Sequence, residues 1–281
     1  MSGSGSGAGA GGARPGAESG GASAAATYRR DGAVGVIALC RPDNRNSMTA
    51  ELLDAFACAS AAARADGEAR AIVVVGSGSC FSAGADFKAE VQRGDPARLP
   101  HERSFAMYEP FLSVLDIEVP VIGALNGHAV GGGFGLALLC DIRIACRTAK
   151  YGANFCKLGL SPGLGISYLL PRLIGASRAA ELLYTGRLLL GDDLAAAGLA
   201  SRALAAADVL PAALDLAREI AASAPLAVRA TKRALAEGLG WDVRRAARRE
   251  AFAQAATVAT ADFAEGVAAL FEKREPRFTG R

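Results

Sequence analysis

Val119-Pro-Val-Ile-Gly-Ala-Leu125 passes through Asn126 into Gly127-His-Ala-Val-Gly-Gly-Gly-Phe-Gly-Leu-Ala-Leu-Leu-Cys-Asp141. The first segment is a short apolar run, partly β-branched, and predicts a buried strand. The last, from Phe134 to Cys140, is an apolar run of helical character. Glycines join the two. A strand that turns through glycines into a helix leaves the helix's first backbone amides without intrahelical acceptors, and those amides favour a negative charge. Yet no carboxylate stands between Gly131 and Cys140. From Gly131 to Cys140 the stretch can hold a charge and carries no acid of its own.

The neighbouring sequence repeats the strand and helix signals. Val34-Gly-Val-Ile-Ala-Leu39, Ala71-Ile-Val-Val-Val75 and Asp141-Ile-Arg-Ile-Ala145 read as further strands. Thr49 is placed to cap a helix running to about Ala65. Helical segments are expected up to about Leu115, and strands alternating with helices predict an α/β core with buried parallel strands. After about residue 175 the chain becomes rich in Ala, Leu, Glu and Arg and is expected to be helical through Lys273. No internal repeat is evident from the residues alone.

Bulk properties exclude several classes. The chain has 281 residues, 51% of them hydrophobic, enough for a sizeable core. A net charge of +3 gives no reason to expect nucleic acid. No apolar run approaches the roughly 18 residues of a membrane span. The six cysteines form no CxxC pair and read as small hydrophobes in a reducing cytosol, which predicts a cytoplasmic protein. Residues 1–26, mostly Gly, Ser and Ala, read as a disordered extension rather than a secretory signal. The expected organisation is that tail, an α/β core over 27–220 and a helical region over 221–281.

Two motifs resemble chemistry and fail on physical grounds. Gly76-Ser-Gly78-Ser-Cys-Phe81 follows a strand like a dinucleotide fingerprint, but Phe81 stands where the third glycine must allow close packing. Gly159-Leu-Ser161-Pro-Gly163 matches a serine-hydrolase elbow, but Pro162 has no N–H for an oxyanion. Both histidines, His101 and His128, also precede that serine. Two histidines without paired cysteines argue against zinc. His128 reads as a satisfied, partly buried imidazole rather than a base.

Cys80-Phe-Ser-Ala-Gly-Ala-Asp-Phe-Lys88 and Gly127-His-Ala-Val-Gly-Gly-Gly133 together resemble the enoyl-CoA hydratase/isomerase (crotonase) superfamily. Arg41-Pro-Asp-Asn-Arg-Asn-Ser-Met48, Cys140-Asp-Ile-Arg-Ile-Ala145, Tyr168-Leu-Leu-Pro-Arg-Leu-Ile-Gly175 and Phe271-Glu-Lys-Arg-Glu-Pro-Arg-Phe278 add to the likeness, which covers about residues 27–281. The resemblance implies an α/β spiral of β-β-α units with a helical C-terminal region, assembled as a homotrimer or hexamer. It implies an acyl-CoA substrate and no other cofactor, nucleic acid or membrane partner. It places the thioester oxygen between the amides of Ala85 and Gly132, where charge developing on an enolate is stabilised. It brings Ala83, Asp86, Lys88 and Arg45 to the CoA side, with Asp86 capping the helix after the first loop. Phe271 and Lys273 would reach CoA from the C-terminal helices, often those of a neighbouring subunit.

The same resemblance locates two missing acids. Hydratases of the family use two glutamates; Gly135 and Phe155 stand at those positions. Phe155-Cys-Lys-Leu-Gly-Leu160 resembles a segment of phenylacetate-pathway enoyl-CoA isomerases, which place an aspartate where this chain has Gly163. Glu109 is the candidate base that remains, on a segment that flanks the acyl pocket in the family. Water addition needs a base and an acid together, whereas a double-bond shift can use one group. The expected activity is therefore Δ3 to Δ2 enoyl-CoA isomerisation. Hydration by other groups, other enolate chemistry and CoA-thioester binding without turnover are the alternatives.

Overall fold

A computed structural model describes residue 1 and residues 24–87 and 97–281. Along the chain lie β1 (Ala26–Asp31), β2 (Val34–Leu39), α1 (Ala50–Ala65), β3 (Ala71–Gly76), β4 (Cys80–Ser82), α2 (Pro100–Ala106) and α3 (Glu109–Leu112). They are followed by β5 (Val121–Leu125), β6 (His128–Val130), α4 (Gly132–Leu139), β7 (Ile142–Cys146) and β8 (Lys150–Gly152). The last third holds α5 (Ile166–Ile174), α6 (Ala176–Thr185), β9 (Leu189–Leu190), α7 (Gly191–Ala196), β10 (Arg202–Leu204), α8 (Ala206–Ala222), α9 (Pro225–Leu235), α10 (Leu239–Val258) and α11 (Ala261–Glu272).

The strands fall into two sheets, ordered β1-β2-β3-β5-β7-β10 and β4-β6-β8-β9. Successive strands alternate between them: β3 and β4, β5 and β6, β7 and β8 each place one strand in either sheet. This is a β-β-α spiral, and it is the repeat that the residues alone conceal. Inside the larger sheet all neighbours pair in parallel except β1 with β2. Covered on both faces, β3 and β5 are buried at every residue, so apolar runs rather than alternation mark them.

Thr49 Oγ1 accepts the Leu52 amide at 3.2 Å and so starts α1 as expected. That helix buries Leu52, Leu53 and Phe56. The Phe56 ring meets Phe111 of α3 edge-on, with centroids 4.9 Å apart. The expectation of an all-helical chain after residue 175 needs correction, because β9 and β10 each extend a sheet there. Both are only two or three residues long, too short to leave a hydrophobic period. Cys80, Cys140 and Cys146 are buried, whereas Cys58 is exposed on α1. No helix among the described residues is long and apolar enough to cross a membrane.

Candidate active site

The end of β4 and the start of α4 meet at one place. Gly84, in the left-handed region at φ +81°, lies so close to the second glycine loop that a Cβ there would stand 2.6 Å from the Val130 carbonyl oxygen and 3.3 Å from Gly132 N. Only glycine permits both the dihedral and the approach. Ala85 follows directly, and it bridges Met48 in parallel, with the Met48 amide donating to Gly84 O at 2.8 Å. The loop bearing Ala85 and the amide opening α4 at Gly132 therefore adjoin. As the first residue of a helix, Gly132 has no intrahelical acceptor for its N–H. A Cβ on Gly132 would overlap the Met48 sulfur, so this glycine too is set by space.

Asn46 holds this arrangement from below. It is fully buried at φ +52°, and its Nδ2 donates to Ser77 O at 3.0 Å and Cys80 O at 2.8 Å. Its Oδ1 accepts the Arg41 amide, and its carbonyl accepts Ser82 Oγ at 2.8 Å. One side chain thus ties the β2–α1 loop to β4. Asparagine tolerates the left-handed region better than most residues, the one sequence signal that could have marked it.

A cleft of about 1130 Å³ opens over Gly132. Asp43, Asn44, Arg45, Ser47 and Met48 form one wall with Ala83, Ala85, Asp86 and Phe87, and Val130, Phe155, Leu158 and Leu160 form the floor. The far wall comes from Tyr108 and from Gln254, Val258, Phe263 and Phe271 of α10 and α11. Arg45, Ala83, Ala85, Asp86, Gly132 and Phe271 line this one cleft together. Lys88 lies outside the described residues, as does the start of the helix that Asp86 is expected to cap. Lys273 ends α11 in a left-handed conformation, exposed and off the cleft wall.

Glu109 needs correction as a candidate base: it begins α3 exposed and does not line the cleft. Its neighbour Tyr108 faces the cleft instead, because one residue of helix turns a side chain by about 100°. His128 also differs from expectation. It is exposed at the start of β6, with Nδ1 accepting the Lys150 amide at 2.8 Å.

The two positions to which the resemblance assigns glutamates in hydratases are closed. A Cβ on Gly135 would lie 2.5 Å from Leu164 Cδ2 and 3.0 Å from its Cγ. Leu164 is fully buried and holds φ at +63°, so the chain accepts backbone strain to pack leucine there. Phe155 is buried on the cleft floor. At Gly163 a Cβ would stand 2.5 Å from the Tyr108 ring, so tyrosine fills that space. The carboxylates among the described residues of the cleft wall are Asp43 and Asp86. Cys80 also reaches the wall, but burial pushes its thiol up to about 11, partly offset by Arg45. It stays a thiol at neutral pH and is a poor nucleophile. Among the described residues no group of His, Cys, Asp and Glu could hold a metal ion.

Such a site can stabilise an anion on an oxygen and surround an extended ligand with apolar wall, and its lining carries Asp43, Asp86, Tyr108, His128 and Lys150 as groups able to carry a proton. Comparison with known proteins agrees with this reading. The family model for enoyl-CoA hydratase/isomerase matches residues 29–281. The chain is 36% identical over 247 residues to the enoyl-CoA hydratase/isomerase YngF of Bacillus subtilis, covering 87% of this chain and 94% of that protein. It is 35% identical over 247 residues to the crotonyl-CoA hydratase of Syntrophomonas wolfei, covering 88% and 94%. The crystal structure of carnitinyl-CoA hydratase from Mycobacterium avium superposes with a TM-score of 0.81 at 33% identity, covering 92% of this chain and all of that one. The chain belongs to the enoyl-CoA hydratase/isomerase, or crotonase, family.

Proposed function

We propose that this protein binds an enoyl-CoA in the cleft, holds its thioester oxygen between the Ala85 and Gly132 amides, and moves the double bond from Δ3 to Δ2. Preorganised amides stabilise the dienolate formed when a proton leaves the carbon chain, which makes proton removal feasible for a modest base. The observation that carries the choice is the packing at Gly135 and Phe155. Leucine and phenylalanine fill the space where two carboxylates would hold a water. Hydration requires an acid and a base around that water, whereas isomerisation needs one group that takes a proton and returns it.

The names of the relatives favour a second reading, hydration by differently placed groups, since several of them are hydratases. Incubating 3-enoyl-CoA and 2-enoyl-CoA separately in heavy-oxygen water separates the two. Conversion of the 3-enoyl to the 2-enoyl thioester faster than hydration is expected. Labelled 3-hydroxyacyl-CoA forming faster than the isomer would establish hydration instead. Tight thioester binding with no turnover of either substrate would mark a binding protein.

Assembly as a homotrimer or hexamer is part of the proposal. Leu226, Leu235, Trp241 and Phe252 of the consecutive helices α9 and α10 stand exposed on one chain, and burial of such large apolar side chains against a second copy supports this reading.

A further inference from the structure

The least expected part of the cleft is polar and buried. Tyr108 and Gln254 are 146 residues apart, yet both line the cleft and both are almost wholly buried. Tyr108 Oη and Gln254 Oε1 are 2.9 Å apart, and Gln254 Nε2 donates to the Ser161 carbonyl at 3.0 Å. That carbonyl can only accept, so it fixes the amide's orientation. The Gln254 oxygen then faces the phenol, and the phenol must donate. Two valences are left over: the phenol oxygen can accept a hydrogen bond, and Gln254 retains a second N–H. Ser161 Oγ, in the same cluster, is buried with no partner among the described residues.

Tyr108 is fixed in place. Its ring occupies the space that a side chain at Gly163 would need, and its edge comes within 3.8 Å of where a Cβ on Gly132 would be. It therefore sits beside the amide assigned to the thioester oxygen. Glu250, buried on α10, accepts Gly165 N at 2.6 Å and Ser167 N at 2.8 Å. It also acts electrostatically on Tyr108, raising its pKa further after burial has already done so. The phenol thus remains neutral.

We infer that Tyr108 and Gln254 are specificity-determining residues that select an acyl-CoA whose acyl chain carries a neutral hydroxyl group. A hydroxyl matches both open valences at once, donating to the Tyr108 oxygen and accepting from the second Gln254 N–H. A hydrocarbon chain leaves both remaining valences unused and gains no hydrogen bond there. A carboxylate can accept from Gln254 but has no proton for the tyrosine. The inference rests on the acyl-CoA reading of the cleft and adds the class of acyl group.

The test is calorimetric binding of butyryl-CoA, 3-hydroxybutyryl-CoA, 4-hydroxybutyryl-CoA and succinyl-CoA to the full chain, its Tyr108→Phe variant and its Gln254→Met variant. These saturated thioesters carry no double bond to move. In the wild type at least one hydroxyacyl thioester is expected to bind about tenfold more tightly than butyryl-CoA, the scale of one to two net hydrogen bonds. Succinyl-CoA should bind no better than butyryl-CoA. Each variant should bring the hydroxyacyl-to-butyryl ratio close to one, a pattern that loosened packing, which weakens both thioesters alike, would not produce. Equal wild-type binding of butyryl and hydroxyacyl thioesters, or a ratio that survives in either folded variant, overturns the inference and leaves the acyl-CoA reading standing. Failure of all four thioesters to bind the wild type overturns both.

Discussion

Replacing Gly135 by alanine tests whether Leu164 truly fills the vacated acid position. An alanine in a helix is normally better than glycine by about 0.5–1 kcal/mol. Here the added methyl would stand 2.5 Å from Leu164 Cδ2, 3.0 Å from Cγ and 3.1 Å from Cβ. The Leu164 Cβ is fixed to a backbone at φ +63° and the residue is fully buried, so the side chain cannot swing into solvent. Forcing a methyl group into a packed core costs about 1–3 kcal/mol. The clash outweighs the helical gain, and Gly135→Ala should destabilise by about 0.5–2 kcal/mol. Leu164→Ala alone should cost about 2–5 kcal/mol, as for any buried leucine. In that background the two nearer atoms are gone, and Gly135→Ala should become stabilising by about 0.5–1 kcal/mol. The double-mutant cycle thus predicts a coupling of about 1–3 kcal/mol. Urea denaturation followed by circular dichroism, at one fixed protein concentration because assembly shifts apparent stability, provides the measurement. A Gly135→Ala variant as stable as wild type, or one with the same effect in both backgrounds, would refute the account of why this site lacks a carboxylate.

Gly132→Pro removes one amide of the proposed oxyanion hole and should lower turnover about 100-fold to 1000-fold. Proline suits the first helical position, but its Cβ would meet the Met48 sulfur, so the variant is best made with Met48→Ala and compared with that single variant. An unchanged rate in folded protein would remove Gly132 from the proposed hole. Glu265 is held at about 2 against an ordinary 4.5, first by the Arg274 side chain and then by the Arg277 amide. Its lowered pKa contributes stability above pH 4.5 that is lost as pH falls towards 2, so Glu265→Gln should flatten the melting-temperature loss across that window. Melts with equal acid slopes would contradict it. Sedimentation should give a trimer or hexamer at micromolar concentration, and a stable monomer would remove the assembly proposal.

What the amino-acid sequence determined by itself was mostly local. Buried strands such as Ala71–Gly76 announce themselves because both faces are covered and every residue must be apolar. Thr49 caps α1 through a contact three residues away, well within the reach of a pattern. The glycine loops were legible because close backbone approach at Gly84 and Gly132 admits almost nothing else. Gly135 and Phe155, where the resemblance to hydratases leads one to look for acids, were likewise legible in the sequence. Only the tertiary structure decided what occupies their space. Leu164 comes from a loop beyond the next two strands, and no spacing rule connects it to Gly135. Glu109 and Tyr108 are neighbours in the chain, and only the rotation of a short helical segment decided which of them faces the cleft. Gln254 reaches Tyr108 from a helix 146 residues later. A cleft wall assembled from separate elements leaves no period in the chain, because its residues satisfy one another in space and not along the backbone.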